Sequence, residues 1–562
     1  MDRKTIILFG LGTILAALPQ IATAQSLDYG STAGDDVSSA PVGARGSGSG
    51  GGGHARPTIV PYIEAQQVMA AELSPGRDVL TWTTLAIGVD GGIRGRNSEA
   101  SFSARYERQI GWGKSSGGDV ISGLVRGGIA LVPRAVTLEA GALATRTSVN
   151  TNGASLPGNF DSGRSTHLWS GYVGPSVQTM AGDVALTGHY RFGYTAVGNN
   201  QRVTTNGTAS QADLFDHSTV HDAEVHAGTR PGDVLPVGLG LGAGFYQENI
   251  ANLDQRVRDA HVRADVAVPV SPDVNLVGGV GYEKVEVSSR DALRDANGQP
   301  VIGSNGRYVT DKSQPRQIAY ETSGLIWDAG VTWRPSRRTA LEAHAGWRYG
   351  GTTYYGSFGW KPSRRATLNL SVYDSISGYG GTVNKALAAL PSDFLVQRDP
   401  VSGDITGCTS GADQSGCLTG ALGALRSATF RARGIQGSYA LDLGRWSTGI
   451  AAGYDRRKFI AAPGTILASA NGVVDENTWA SAWFGGKIDR ATTFNTMLYA
   501  DWFRSGFIAD GNGTALGVSG TVQHTFDHHI SANAALSLQG IQRELVDDYW
   551  NASALVGVRY SF

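Results

Sequence analysis

The sequence has little cysteine and little methionine, two and four residues respectively in a chain of 562. So few cysteines exclude a disulfide-dense scaffold and a cysteine-built metal module. Charge of one sign is lacking too: 47 Lys and Arg against 48 Asp and Glu give a formal charge of -1. Nucleic-acid partners demand a basic surface, so that function class is excluded. After the N-terminal segment no run approaches 18 consecutive apolar residues. The expected mature chain therefore carries no transmembrane helix. The apolar share, 41%, is low for a single hydrophobic core of this length. Glycine, by contrast, is abundant at 78 residues, roughly twice the usual share.

The N-terminus reads as an export signal. Asp2, Arg3 and Lys4 are charged, Ile6 to Leu18 is an apolar stretch, and Ala22-Thr-Ala24 is a small-residue cleavage site before Gln25. Residues 1–24 are the expected signal peptide. Residues 25–56, with the run Gly46 to Gly53, are the expected disordered Gly/Ser leader. Residues 57–562 are the expected barrel. The leader is too short to make the folded plug of an energised 22-stranded transporter.

At the other end, Trp550, Ala552, Ala554, Val556, Val558, Tyr560 and Phe562 alternate with Asn551, Ser553, Leu555, Gly557, Arg559 and Ser561. A strict period of two is a strand with one oily and one wet face. Val558, Tyr560 and the terminal Phe562 resemble the C-terminal signature that the barrel-assembly machinery of the outer membrane recognises.

The same rhythm runs through the chain. Tyr190, Phe192 and Tyr194 oppose His189 and Arg191; Leu325, Trp327 and Trp333 oppose Asp328 and Thr332; Ala345 and Trp347 oppose His344 and Arg348. A soluble sandwich also alternates, but aromatics at strand ends and an Ala/Gly-rich oily face suit a lipid-facing wall. Short connections rich in Gly, Pro and Asp fall at 91–97, 132–135, 181–183, 230–236, 271–273, 334–339, 361–366, 444–446, 489–492 and 527–529. With a terminal strand, these predict an all-β, antiparallel, up-and-down transmembrane barrel of about 22 strands, give or take about two. The longer connections, 148–166, 197–218, 286–322, 378–426 and 460–476, are expected outside the cell.

Two turns nearly repeat, Trp333-Arg-Pro-Ser-Arg-Arg338 and Trp360-Lys-Pro-Ser-Arg-Arg365. Hairpin duplication plus a good turn sequence is one reading, and a basic collar against periplasmic-leaflet phospholipid is the other. Cys408 and Cys417 share the longest loop, and in an exported chain they predict a disulfide closing about ten residues.

By the alternation, His189, Arg191, Asp222, Glu224, His226, His261, Arg263, Asp265, Glu342, His344 and Arg348 face the lumen, where opposite charges on neighbouring strands pair. Inward acids and histidines also serve outer-membrane hydrolases, so that reading stays open, although no catalytic spacing is present and a non-enzyme is expected. Gly113-Lys-Ser115 ends like a phosphate loop, but Arg108 stands where the first Gly is required. His528-His529 lacks the partners of a zinc set. Neither a metal nor a cofactor is expected; Asp510-Gly-Asn-Gly513 would admit calcium only weakly. Asn384 to Leu390, ended by Pro391, and Thr419 to Leu425 are apolar, helix-like runs on a polar loop. They predict a loop that folds into the lumen as a constriction.

The phrases Pro61-Tyr-Ile-Glu-Ala-Gln-Gln67, Ser323-Gly-Leu-Ile-Trp-Asp-Ala-Gly330, Trp333-Arg-Pro-Ser336, Tyr349-Gly-Gly-Thr-Thr353 and Ser371-Val-Tyr-Asp-Ser375 resemble an outer-membrane barrel family of sphingomonad-type bacteria. That family is similar to exosortase-associated barrels of exopolysaccharide systems, and its members are sometimes labelled preprotein-translocase subunits. The resemblance implies an outer-membrane channel, a passive or export conduit, with polysaccharide or secretion partners. A structural, partner-docking component of a secretion or translocation assembly is the second reading, and a hydrolase the third.

Overall fold

The computed structural model describes residues 58–562, apart from 116, 149–164, 199–203, 206–207, 210–214, 391, 393, 400, 411–414, 418–425, 508–510 and 545–546. The expected signal peptide and leader lie outside the described residues, as does the apolar run at 419–425.

The first strands are β1 (Thr58–Ser74), β2 (Val79–Arg94), β3 (Ser98–Trp112), β4 (Gly118–Val132), β5 (Val136–Ser148), β6 (Ser165–Ala181) and β7 (Val184–Val197). Two-residue strands β8 (Thr204–Thr205) and β9 (Thr208–Ala209) pair within a loop. The wall resumes with β10 (His217–Thr229), β11 (Gly238–Ile250), β12 (Gln255–Ser271), β13 (Val274–Ser289) and β14 (Gln317–Ser336). Next come β15 (Thr339–Arg348), β16 (Gly351–Ser363) and β17 (Ala366–Ser377). The loop after β17 holds helix α1 (Tyr379–Ala388) and short strands β18 (Leu395–Arg398), β19 (Ile405–Ser410) and β20 (Ser415–Cys417). The wall ends with β21 (Thr429–Asp442), β22 (Trp446–Ile460), β23 (Val474–Lys487), β24 (Thr492–Arg504), β25 (Gly513–Thr525), β26 (Ile530–Arg543) and β27 (Tyr549–Ser561).

Twenty-two of these strands form one antiparallel sheet, and β1 pairs with both β2 and β27, so the sheet closes on itself. Closure removes every free edge, which a wall in lipid requires. One face of the wall carries the exposed apolar side chains, including Leu325 at 73%, Trp327 at 54% and Leu536 at 69%. Their neighbours in sequence, Ile326, Asp328 and Ala535, are buried on the inner face, as is Leu555, the partner of Ala535 on the next strand. The chain is a membrane-spanning β-barrel of the outer-membrane type. Val558, Tyr560 and Phe562 point outward and are exposed.

All the short connections read from the sequence fall between paired strands at one end of the barrel. Aspartates set several of them: Asp489 Oδ1 accepts the Ala491 and Thr492 N–H groups at 2.7 Å, and Asp527 Oδ1 those of His529 and Ile530 at 2.7 and 2.8 Å. These N–H groups hold both turn carboxyls below the usual carboxylate range. The two repeated turns make the same bond, Ser336 Oγ to the Arg338 N–H at 3.2 Å and Ser363 Oγ to the Arg365 N–H at 3.1 Å. The serine thus plays the same part in both turns.

The glycines do not serve only the lipid-facing side, where an Ala/Gly-rich surface is expected: many line the inner face beneath a large side chain of the next strand. A Cβ on Gly449 would meet the Trp483 ring, and one on Gly279 the Arg263 guanidinium. Bulky inner side chains thus lie flat on the wall.

Candidate functional site: the inner wall and the loop inside it

The eleven predicted lumen residues all sit on the inner face, opposite the exposed apolar side chains. Their register explains the grouping. Arg191 stands opposite Asp222 and His189 opposite Glu224; His189 Nε2 lies 3.7 Å from Asp222 and Arg191 4.0 Å from Glu139.

A tighter network spans β10 to β16. Arg263 grips Asp328 with two bonds, Nε to Oδ1 at 2.7 Å and Nη2 to Oδ2 at 2.8 Å, and also donates to Asp265 at 2.9 Å. His226 Nε2 lies 3.0 Å from the same Asp265 oxygen. His344 joins Asp328 through Nδ1 at 2.9 Å and Glu342 through Nε2 at 3.2 Å, and stacks on Tyr355 at 4.7 Å. Nearer the long-loop end, Arg348 donates to Glu283 at 3.0 Å and to Asp259 at 2.8 Å, with His261 Nδ1 3.1 Å away. Asp328, which the alternation sets on the wet face of its strand, and Asp259 and Glu283, which no sequence signal marks, complete these clusters. Their inward parity was readable, but which cation each would meet depends on strand order around the ring.

Removing one partner from such a buried pair costs about 3–5 kcal/mol, whereas apolar replacement of the whole pair is often neutral. The networks therefore organise a polar interior more than they stabilise the barrel. Among the described residues no group of three or more His, Cys, Asp and Glu is arranged to hold a metal ion.

The second component is the loop between β17 and β21. It leaves the wall at the long-loop end and turns inward. Helix α1 begins five residues before the apolar run seen in sequence and stops short of Pro391. The reason for the early start lies in the wall. Glu248 of β11, fully buried, accepts the Gly378 N–H at 2.7 Å and the Gly381 N–H at 2.8 Å, and the Tyr246 hydroxyl at 2.8 Å. A carboxylate from another strand thus satisfies amides that a helix start leaves orphaned, at the end its dipole makes positive. Gly380 and Gly381 are required by proximity, since a Cβ would strike Ser218 or Tyr246.

The helix is held sideways by an apolar cluster. Tyr379, Val383, Leu387 and Leu390 pack with the inward Leu124, Leu143 and Leu168 of β4, β5 and β6. Each such side chain buried contributes about 1.5–3 kcal/mol. Asn384 Nδ2 donates to the Gly171 carbonyl at 2.8 Å.

Beyond the helix the loop descends. Ser392 Oγ donates to Glu99, the second residue of β3, at 2.9 Å, so the chain reaches close to the short-turn end. It then returns: Arg398 Nη2 donates to Ser103 Oγ at 2.9 Å, and Asp404 binds Arg146 at 2.8 Å. The tip is a tight turn in which Asp399 Oδ1 accepts the Val401 and Ser402 N–H groups at 3.1 and 2.8 Å, while Gln539 Nε2 donates to its other oxygen at 3.1 Å. Burial pushes the Asp399 carboxyl up to about 6 against the pull of those N–H groups. Val401 packs on Val68, Trp82, Ala535 and Leu555, across the seam where β1 meets β27. The loop thus crosses the lumen and touches opposite walls. Backbone register sets Cys408 opposite Cys417 in the β19–β20 pair; their side chains lie outside the described residues.

No family model matches the chain, and no curated protein does. Solved structures of low similarity include the FrpB iron transporter from Neisseria meningitidis, at 9% identity over 90% of this chain and 82% of that one, with a TM-score of 0.42. The ferric yersiniabactin uptake receptor FyuA from Yersinia pestis aligns at 11% identity over 90% and 80%, with a TM-score of 0.40. OccK5 from Pseudomonas aeruginosa aligns at 8% identity over 90% and 98%, with a TM-score of 0.30.

Proposed function

We propose that this barrel is an outer-membrane conduit occluded by its own β17–β21 loop, and that solute passes when the loop shifts. The observation that carries the reading is the loop's path, from Glu248 at the mouth to Glu99 near the opposite end, through an otherwise charged and polar wall. Solute selectivity then comes from the inner charges, with Arg263, Asp328 and Arg348 at the centre of their networks. The resemblance to exopolysaccharide-associated barrels supports a hydroxyl-rich polymer as cargo, moving by diffusion or export. Cys408 and Cys417 are taken as the disulfide that staples the inner loop; alkylation of both in the untreated chain would remove that part.

The test is conductance in planar bilayers. Deleting 384–420 should turn a nearly silent barrel into one with large, steady single-channel currents and passage of sugars in liposome swelling. Equal conductance with and without the loop would sink the conduit reading and favour a partner-docking barrel.

A further inference from the structure

On the outer face near the long-loop end, most cations stand beside an acid. Arg108 pairs with Asp119 at 2.9 Å, Arg256 with Glu286 at 3.6 Å and Lys284 with Glu321 at 3.9 Å. Strands β21 and β22 carry more cations than acids. Their register sets Arg431 directly opposite Lys458 and Arg433 directly opposite Arg456. These residues share the parity of Ile435, Ile450 and Tyr454, which are exposed on the lipid side. Like charges directly opposite one another destabilise a sheet. Two carboxylates reach the patch: Asp374 binds Arg431 at 2.6 Å and Arg433 at 3.1 Å, and Glu476 lies 3.9 Å from Arg456. Four cations against two acids leave an excess of positive charge at a lipid-facing surface.

The guanidiniums are also positioned. Pairing of β16 with β17 stops at Gly356 and Val372, so the Thr352 carbonyl above has no ladder partner on that side. Arg433 Nη2 donates to it at 2.6 Å and Arg431 Nη2 at 3.2 Å. Below the cations the surface is apolar and aromatic: Tyr354, 45% exposed and 5.7 Å from the Arg433 guanidinium, with Ile435, Tyr454 and Ile450. Fixed cations immediately above an oily, aromatic belt match an amphiphile whose phosphates sit at the membrane surface and whose acyl chains lie along the wall.

We propose that β21 and β22 bind the phosphorylated head group of an outer-leaflet glycolipid, with Arg433 and Arg456 donating to phosphate and the acyl chains resting on Ile435, Tyr454 and Ile450. The proposal is independent of what crosses the lumen.

The test is native mass spectrometry of the full barrel in mild detergent, with bis-phosphorylated lipid A as the probe. Expected is retention of lipid A, loss of that retention for the dephosphorylated form, and a roughly tenfold or greater weakening in Arg433→Gln/Arg456→Gln. The Arg433→Lys/Arg456→Lys variant should keep most of the binding, and Arg108→Gln, at a neutralised pair, all of it. Should the double Gln variant fail to assemble, Lys458→Gln alone must still weaken retention. Equal retention of the dephosphorylated form, or of lipid A by the Gln variants, would overturn the site. Displacement by inorganic phosphate at equal concentration would overturn the lipid as its source.

Discussion

Glu248 shows how much one side chain decides here. Its carboxylate accepts two amides of α1 and a tyrosine hydroxyl in a place water does not reach. Replacing it with Ala would leave those donors buried and unpaired, at about 1–3 kcal/mol for each group stranded. Glu248→Ala should therefore speed hydrogen exchange at the amides of 379–388 by roughly tenfold to a hundredfold while the barrel strands stay protected. Glu248→Gln, keeping one acceptor oxygen, should fall between. Unchanged exchange in the Ala variant would mean the helix is held by its apolar face alone. Nothing local marks Glu248 in the sequence; it is one polar residue in Tyr246-Gln-Glu-Asn249. Its role exists only because a loop from β17 arrives beside β11.

At the scale of the element, the inner loop is a compact unit with a titratable tip. In the docked loop the Asp399 carboxyl is raised by burial from 3.8 to about 6. The docked state thus binds the proton more tightly than the undocked one. Docking is fully favoured below the ordinary carboxylate value, weakens as pH climbs toward about 6, and changes no further above that. Channel openings of the intact barrel should accordingly become more frequent between about pH 4 and pH 6.5 and then level off. Asp399→Asn should remove the dependence, since amide and carboxylic acid are both neutral. A wild-type record flat across that window would contradict this account of the tip. The apolar run Asn384 to Leu390 did foretell an inward helix, because oily side chains on an exposed loop need cover. Its N-terminal boundary was not legible, because the cap comes from another strand.

For the whole molecule the decisive feature is closure. β27 completes the ring against β1 from Tyr62 opposite Ser561 to Ser74 opposite Trp550, and the Phe562 N–H donates to the Pro61 carbonyl at 3.0 Å. Phe562 itself is 66% exposed and contributes little packing within the ring. If it serves assembly, Phe562→Ser should lower the yield of heat-modifiable barrel in cells severalfold and leave the urea midpoint of the assembled fraction unchanged. A drop in midpoint with normal yield would assign it a packing role instead. The inner loop bears on this seam as well, since Val401 rests against Val68 and Leu555 on either side of it.

The sequence by itself determined the strand rhythm, the short turns, the approximate count of wall strands and the inward parity of the charged residues named as lumen-facing. All of these follow from local periodicity and turn chemistry, and a period of two leaves each side chain only one face to occupy. Tertiary structure alone decided which cation meets which acid, as with Arg263 and Asp328, and where the long loop goes. It also decided that glycine clears space under Trp483, and that Arg433 stands opposite Arg456. Those outcomes depend on register between strands and on chain segments far apart in sequence, whose meeting is set by ring closure and the filling of the lumen rather than by any neighbouring residue.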